Sequence, residues 1–107
     1  MEERRKHPRA KVSWDVTVWK VSVEHESGAQ WDGESVDLSP GGLKVRFNGD
    51  LEPGTPVTLI FRPPDGGPII AARSAVVRKD REGHAFAFAS LRYADFVRVL
   101  KLVKART

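Results

Sequence analysis

Cysteine is absent from this 107-residue chain, which excludes a disulfide framework and any thiolate metal site. Histidine is nearly as scarce. His7, His25 and His84 are scattered, with neither a His-x-x-His pair nor a carboxylate at ligand spacing, so no metal centre is expected. No apolar run approaches the ~20 residues that cross a bilayer as a helix, and no membrane insertion is expected. The opening Met1-Glu2-Glu3-Arg4-Arg5 has no apolar stretch behind it, unlike a secretory signal, so the expected compartment is the cytoplasm. Ser39 lies in no glycine-flanked nucleophile elbow and has no evident base in sequence. Catalysis is therefore not expected.

What is present describes one domain, residues 1–107, with hydrophobic content of 40% and charged content of 30%, enough for a single core. The net charge of +4 is unevenly placed. Residues 1–11 carry five basic and two acidic side chains, residues 91–107 five basic and one acidic, and the stretch between them eight basic and eleven acidic. The body is mildly acidic and both ends are basic. A nucleic-acid binder spreads positive charge over a folded face and interleaves it with aromatics. The face bearing Lys44 and Arg46 lacks those aromatics, so nucleic acid is not an expected partner, and the local charge suits a small anionic ligand.

Period-two alternation dominates the chain. Val12 to Val18, continuing toward Val21, reads as a first strand, and Trp31 to Val36 as a second. Leu43 to Phe47 follows as a third, Val57 to Phe61 as a fourth, Ile69 to Lys79 as a fifth and His84 to Ala89 as a sixth. Turn signals separate them at Ser27-Gly28, Asn48-Gly49, Pro53-Gly54, 63–68 and 80–83. Six short strands so punctuated predict a mainly β, six-stranded antiparallel barrel or sandwich over 12–89. The period then changes. Ser90 suits an N-cap, and Tyr93, Phe96, Val97, Leu100 and Val103 form one helical stripe. A C-terminal helix over 90–105 is expected to cover the barrel, with Val99 and Leu102 widening the buried arc. Trp14 reads as core, Trp19 and Trp31 as exposed on the barrel, and His84 as a strand-surface residue.

Two short motifs carry chemistry. Arg5 and Arg9 stand four apart in Arg5-Lys6-His7-Pro8-Arg9, where Pro8 disfavours helix at His7. Extended chain does not gather residues four apart as a helix turn would, so the two are brought together by wrapping around a ligand; otherwise the segment is a solvated basic arm. The second motif is Asp37-Leu38-Ser39-Pro40-Gly41-Gly42. It reads equally as a hairpin connection, with Asp37 in an Asx-turn, or as an acceptor, a hydroxyl and a backbone surface open to a ligand. Guanidinium forks match phosphates and the O6/N7 edge of guanine, and a carboxylate matches guanine's N1 and N2 donors.

Arg-x-x-x-Arg followed by Asp-x-Ser-x-x-Gly resembles the signature of the PilZ domain, a bacterial receptor family for cyclic di-GMP. The final strand, Glu82-Gly83-His84-Ala85-Phe86-Ala87-Phe88, is similar to the family's Gly-apolar-x-Phe ending, and the resemblance spans Glu3 to about Ala105. It implies a PilZ-type six-stranded barrel with a C-terminal helix, and residues 1–11 as a ligand-clamping arm. By the same resemblance Arg4, Arg5 and Arg9 hold phosphates and guanines, while Asp37, Ser39, Gly41 and Gly42 fix a base. Arg4, just before the first motif, implies an intercalated cyclic di-GMP dimer as ligand. Some members stack an aromatic from late in the fifth strand; here Val76-Val77-Arg78-Lys79 offers the Arg78 guanidinium plane instead. No cofactor is implied. The expected function is non-enzymatic: ligand binding that alters the surface offered to an effector protein. The alternative is an adaptor of the same fold that works without nucleotide.

Overall fold

The computed structural model describes residues 9–20 and 28–106. Among these, seven strands are formed: β1 (Ala10–Lys11), β2 (Asp15–Lys20), β3 (Gln30–Ser39), β4 (Gly42–Phe47), β5 (Pro56–Phe61), β6 (Ile70–Asp80) and β7 (Gly83–Ser90), followed by one helix, α1 (Tyr93–Arg106). The sheet order is β1-β3-β2-β5-β6-β7-β4, and β4 pairs back onto β3. Strands β2 to β7 therefore close a six-stranded antiparallel barrel, the expected architecture, and closure removes the exposed edges of an open sheet. The short β1 pairs to β3 beyond the end of β2, on the same edge of that strand.

Inward residues follow the alternation. Val16, Val18, Leu38, Leu43, Val45, Val57, Leu59, Phe61, Ile70, Ala72, Val76 and Phe86 are buried in the interior. One lateral row, Ala10–Leu38–Leu43–Phe86–Val76, runs through five strands in direct register and is buried throughout. Trp14 closes an end of the core, half-buried and stacked on Phe61 with ring centroids 5.9 Å apart.

Strict alternation fails wherever the register shifts, and two of those places shape the outer face. β3 carries an extra residue relative to β4 between Ser35 and Asp37, and on its other edge the first expected strand is interrupted at residues 12–14, three residues that face only Ser35 and Val36. The pairing register with both neighbours steps by one there: Lys11 lies opposite Asp37, but Asp15 opposite Glu34. Trp14 at the break is held by Ser35, whose Oγ accepts from the Trp14 N–H at 2.7 Å. A second bulge separates Val76 from Arg78 in β6. Each bulge exchanges the two faces for the residues beyond it. Trp31, Gly33 and Ser35 point inward, whereas Asp37 and Ser39, of the same parity, lie on the outer face.

Five local expectations are corrected. The second strand does not stop at Val36 but continues to Ser39, and only Pro40 and Gly41 form the turn into β4. Ser90 does not cap the helix: it is the last residue of β7, held extended opposite Arg73, and the Arg92 carbonyl accepts the first helical bond from Phe96. The buried helix face is centred on Asp95, Val99 and Val103, because α1 packs on β1 and β3; Tyr93 is 80% exposed. His84 is an interior residue, packed against the rings of Phe47 and Phe86. Trp31 likewise packs on the core, with its ring centroid 5.6 Å from that of Phe47.

Candidate functional site

The outer faces of β1, β3, β4, β7 and β6 meet in a shallow groove. The ladder registers place Lys11, Asp37, Lys44, Ala85 and Arg78 in one row across these five strands. Adjacent strands lie roughly 4.8 Å apart, so side chains from neighbouring strands in such a row are in reach of one another. The next outward row along the strands is Ser39–Gly42–Ala87–Ala75. A line of charge thus borders a floor of small residues.

Two depressions follow these rows. One, of about 200 Å³, is lined by Arg9, Asp37, Lys44, Arg78 and Glu82 among others. The other, of about 150 Å³, involves Ser39, Gly41, Gly42, Val77 and Ala87. Arg9, Lys44 and Arg78 border both, so the depressions are one continuous surface. A larger depression of about 490 Å³ lies across β2, β3 and β5, but none of the motif residues borders it.

Of the residues singled out in sequence, Arg9, Asp37, Ser39, Gly41, Gly42 and Arg78 come together here. Arg4, Arg5 and His7 lie outside the described residues, as does His25. Arg9 enters from just before β1 and pairs with Asp37, Nη1 to Oδ2 at 3.5 Å. The Asp37 carboxylate is thus an ion-pair partner, and the pairing of β1 with β3 holds it on the outer face. Among the described residues the Ser39 hydroxyl donates to the Gly42 carbonyl at a long 3.5 Å, so its donor is weakly committed.

The two glycines differ in role. A Cβ on Gly42 would stand 2.1 Å from the Phe86 carbonyl oxygen, whereas one on Gly41 would meet nothing within 4 Å. Neither has a positive φ. Gly42 is required for the close approach of β4 to β7; Gly41 leaves open space beside the groove.

Sequence reasoning missed Lys44, Asp80 and Glu82 as members of this site. Lys44 is on the outer face yet only 5% exposed. Its Nζ donates to Asp80 Oδ2 at 2.7 Å and Glu82 Oε1 at 2.9 Å. The Asp80 hydrogen bond raises the Lys44 pKa above the ordinary lysine value against the opposing effect of burial. The same ammonium lowers both carboxyl pKa values. Arg78 stands 4.0 Å from Asp80 and is more than half exposed. Only the cross-strand register, which alternation does not specify, brings these groups together. Among the described residues no group of three or more His, Asp or Glu side chains could hold a metal ion.

On the far side of the Pro40–Gly41 turn, Pro40 joins Phe96, Val97 and Leu100 in an apolar groove of about 520 Å³, rimmed by Lys101 and Lys104. No described helix is long and apolar enough to cross a membrane.

A closed six-stranded barrel with a flanking helix, carrying a charged groove around an arginine–aspartate pair, defines a small antiparallel β-barrel domain. The PilZ domain family model matches residues 3–104, and the chain belongs to the PilZ domain family. Solved structures agree on the fold. The inhibitor of motility MotI/DgrA of Bacillus subtilis superposes with a TM-score of 0.78 at 21% identity, covering 98% of this chain and 51% of that one. This chain therefore spans about half of that relative's length. The PilZ domain of CeSA from a cellulose-synthesizing bacterium gives 0.68 at 20% identity, covering 91% and 95%. The PilZ domain of Escherichia coli YcgR, a structure with c-di-GMP, gives 0.72 at 13% identity, covering 97% and 92%. No curated protein sequence matches the chain.

Proposed function

We propose that this PilZ domain is a non-enzymatic receptor for cyclic di-GMP that passes its ligand state to an effector protein. The observation that carries the reading is the meeting of Arg9, Asp37, Ser39, Gly41, Gly42 and Arg78 on one continuous groove. Arg9 and Arg78 supply forked donors for phosphate oxygens or a guanine O6/N7 edge. Asp37 supplies the acceptor for guanine N1 and N2, and the small-residue row gives a base a flat floor. The Arg78 guanidinium plane stacks on a base face in place of an aromatic ring. Arg4 and Arg5 complete the cation set from the preceding segment, and Arg4 selects the intercalated dimer as the bound form. The YcgR domain, of the same fold, is known with c-di-GMP, which supports the choice of ligand.

Isothermal titration with cyclic di-GMP tests this directly. Saturable heat with two ligands per chain is expected, with Arg4→Ala reducing the ratio to one and Arg9→Ala weakening binding by on the order of 10-fold or more. No heat at tens of micromolar ligand overturns the reading.

One observation favours the second reading, a nucleotide-independent adaptor. The apolar groove at Phe96, Val97 and Leu100 is built on α1 itself and requires no ligand to form. A partner whose binding survives Arg9→Ala and is indifferent to cyclic di-GMP would establish it.

A further inference from the structure

The central member of the charged row belongs to neither sequence motif. Lys44 lies between Asp37 on one side and, across Ala85, Arg78 on the other. It borders both depressions of the groove together with the two arginines. Its ammonium is turned toward two carboxylates that are themselves largely solvated, with side-chain exposures of 40% for Asp80 and 56% for Glu82. Glu82 belongs to the two-residue turn between β6 and β7, and its backbone N–H bonds Asp80 Oδ1 at 2.9 Å, which fixes that turn against the row. Glu82 also borders the depression that contains Arg9 and Asp37.

The groove is therefore neutralised by its own residues. Arg9 faces Asp37, Lys44 faces Asp80 and Glu82, and Arg78 approaches Asp80. Each described cation bordering the groove, Lys11 apart, has a carboxylate within 4.0 Å. Asp80 has a second tie through the turn and is the anchored member of the pair. Glu82 is the more exposed carboxylate and the one whose side chain swings away at least cost in buried contacts.

We propose that Lys44 is a further ligand-binding residue of this groove and that Glu82 is its built-in competitor, an internal carboxylate occupying the ammonium until a ligand phosphate displaces it. This rests on the cyclic di-GMP reading above and adds to it a gate on affinity. Asp80 keeps Lys44 directed into the row in both states. Displacing a solvated carboxylate costs little, whereas a phosphate oxygen on an ammonium shielded from solvent makes a strong charge-assisted bond.

Titration of cyclic di-GMP into wild type, Lys44→Met, Glu82→Gln and Glu52→Gln decides the matter, with thermal melts confirming that each variant folds. Lys44→Met keeps the stem length that fills the row and should weaken binding by on the order of 10-fold or more. Glu82→Gln should tighten it by about 3-fold or more, an increase that a merely structural role for Glu82 does not produce. Glu52→Gln removes the same unit charge from the Lys79 pair outside the groove and should leave affinity unchanged. Unaltered affinity in Lys44→Met overturns the assignment of that residue. Unaltered or weaker affinity in Glu82→Gln overturns the competitor, as does equal tightening by Glu52→Gln. Absence of binding by the wild type overturns the receptor reading and this one with it.

Discussion

Arg9 Nη1 lies 3.5 Å from Asp37 Oδ2, so the last arginine of the first motif meets the first residue of the second, across the β1–β3 ladder. The guanidinium side chain is 26% exposed and the carboxylate 12%. Two segments far apart in sequence are thus one unit in space. The partial solvation leaves the pair exchangeable: Arg9 can trade a carboxylate for a phosphate without leaving a charge stranded in the core.

Replacing Arg9 by Ala should separate binding from stability. Pairs of this exposure contribute about 1 kcal/mol or less, so the melting temperature should change little. Cyclic di-GMP affinity should fall by on the order of 10-fold or more, since a forked charge-assisted donor is lost. Parallel calorimetry and thermal melts read both quantities; a large loss of stability would make Arg9 a structural residue instead.

Gly42→Ala and Gly41→Ala should behave oppositely. The methyl at position 42 meets the Phe86 carbonyl at 2.1 Å, so β4 and β7 must move apart, at a cost of about 2 kcal/mol or more. The methyl at position 41 meets nothing within 4 Å and should leave urea denaturation unchanged. Any effect of Gly41→Ala should appear in ligand titration alone.

The loop 62–69 is tied to α1 by one residue pair. Arg98 Nε and Nη2 donate to the two carboxylate oxygens of Asp65, at 2.9 and 2.8 Å, and Arg98 Nη1 also reaches Asp95. The Arg98 hydrogen bonds are the main cause holding the Asp65 pKa at about 2, below its ordinary 3.8. Its stabilisation is complete above 3.8 and is lost as pH falls toward about 2. Arg98→Lys cannot make the fork and should destabilise the domain by about 1 kcal/mol at neutral pH, with a flatter acid limb in pH-dependent melts than wild type.

His84 should make the stability fall as pH drops below 6.5. Its Nε2 accepts from the Leu51 N–H at 3.1 Å, which requires the neutral ring. Burial, aided by nearby Lys79 and opposed by Asp50 and Asp80, lowers its pKa below the ordinary 6.5. A depressed folded pKa means that stability is full above 6.5 and declines as pH falls toward the folded value, because only the unfolded chain takes up the proton in that window. The melting temperature should drop over that range, and His84→Gln should flatten the decline. An unchanged slope in the variant would assign the titration elsewhere.

How much of this was legible in the chain differs between fold and site. Alternation located β4, β5, β6 and β7 closely, because each buries one face in the barrel and period two records that burial. It misjudged β3, whose parity changes at Val36, and it placed His84 outside, because an imidazole on a strand gives no sign of which face it takes. The helix was expected and present, but its buried arc is rotated toward Asp95, Val99 and Val103. An apolar stripe alone does not reveal that Arg92 and Arg98 would bracket a buried Asp95.

The sequence by itself determined the family, the barrel-plus-helix composition and the motif residues Arg9, Asp37, Ser39, Gly41 and Gly42, because these are local properties of residue type and spacing. Only the tertiary structure decided that Asp37, Ser39 and Arg78 share an outer face, and that Lys44, Asp80 and Glu82 join them there. The reason is physical. Face and neighbour are set by cross-strand register, and two one-residue bulges, in β3 and β6, reverse the parity at the places where the groove is built.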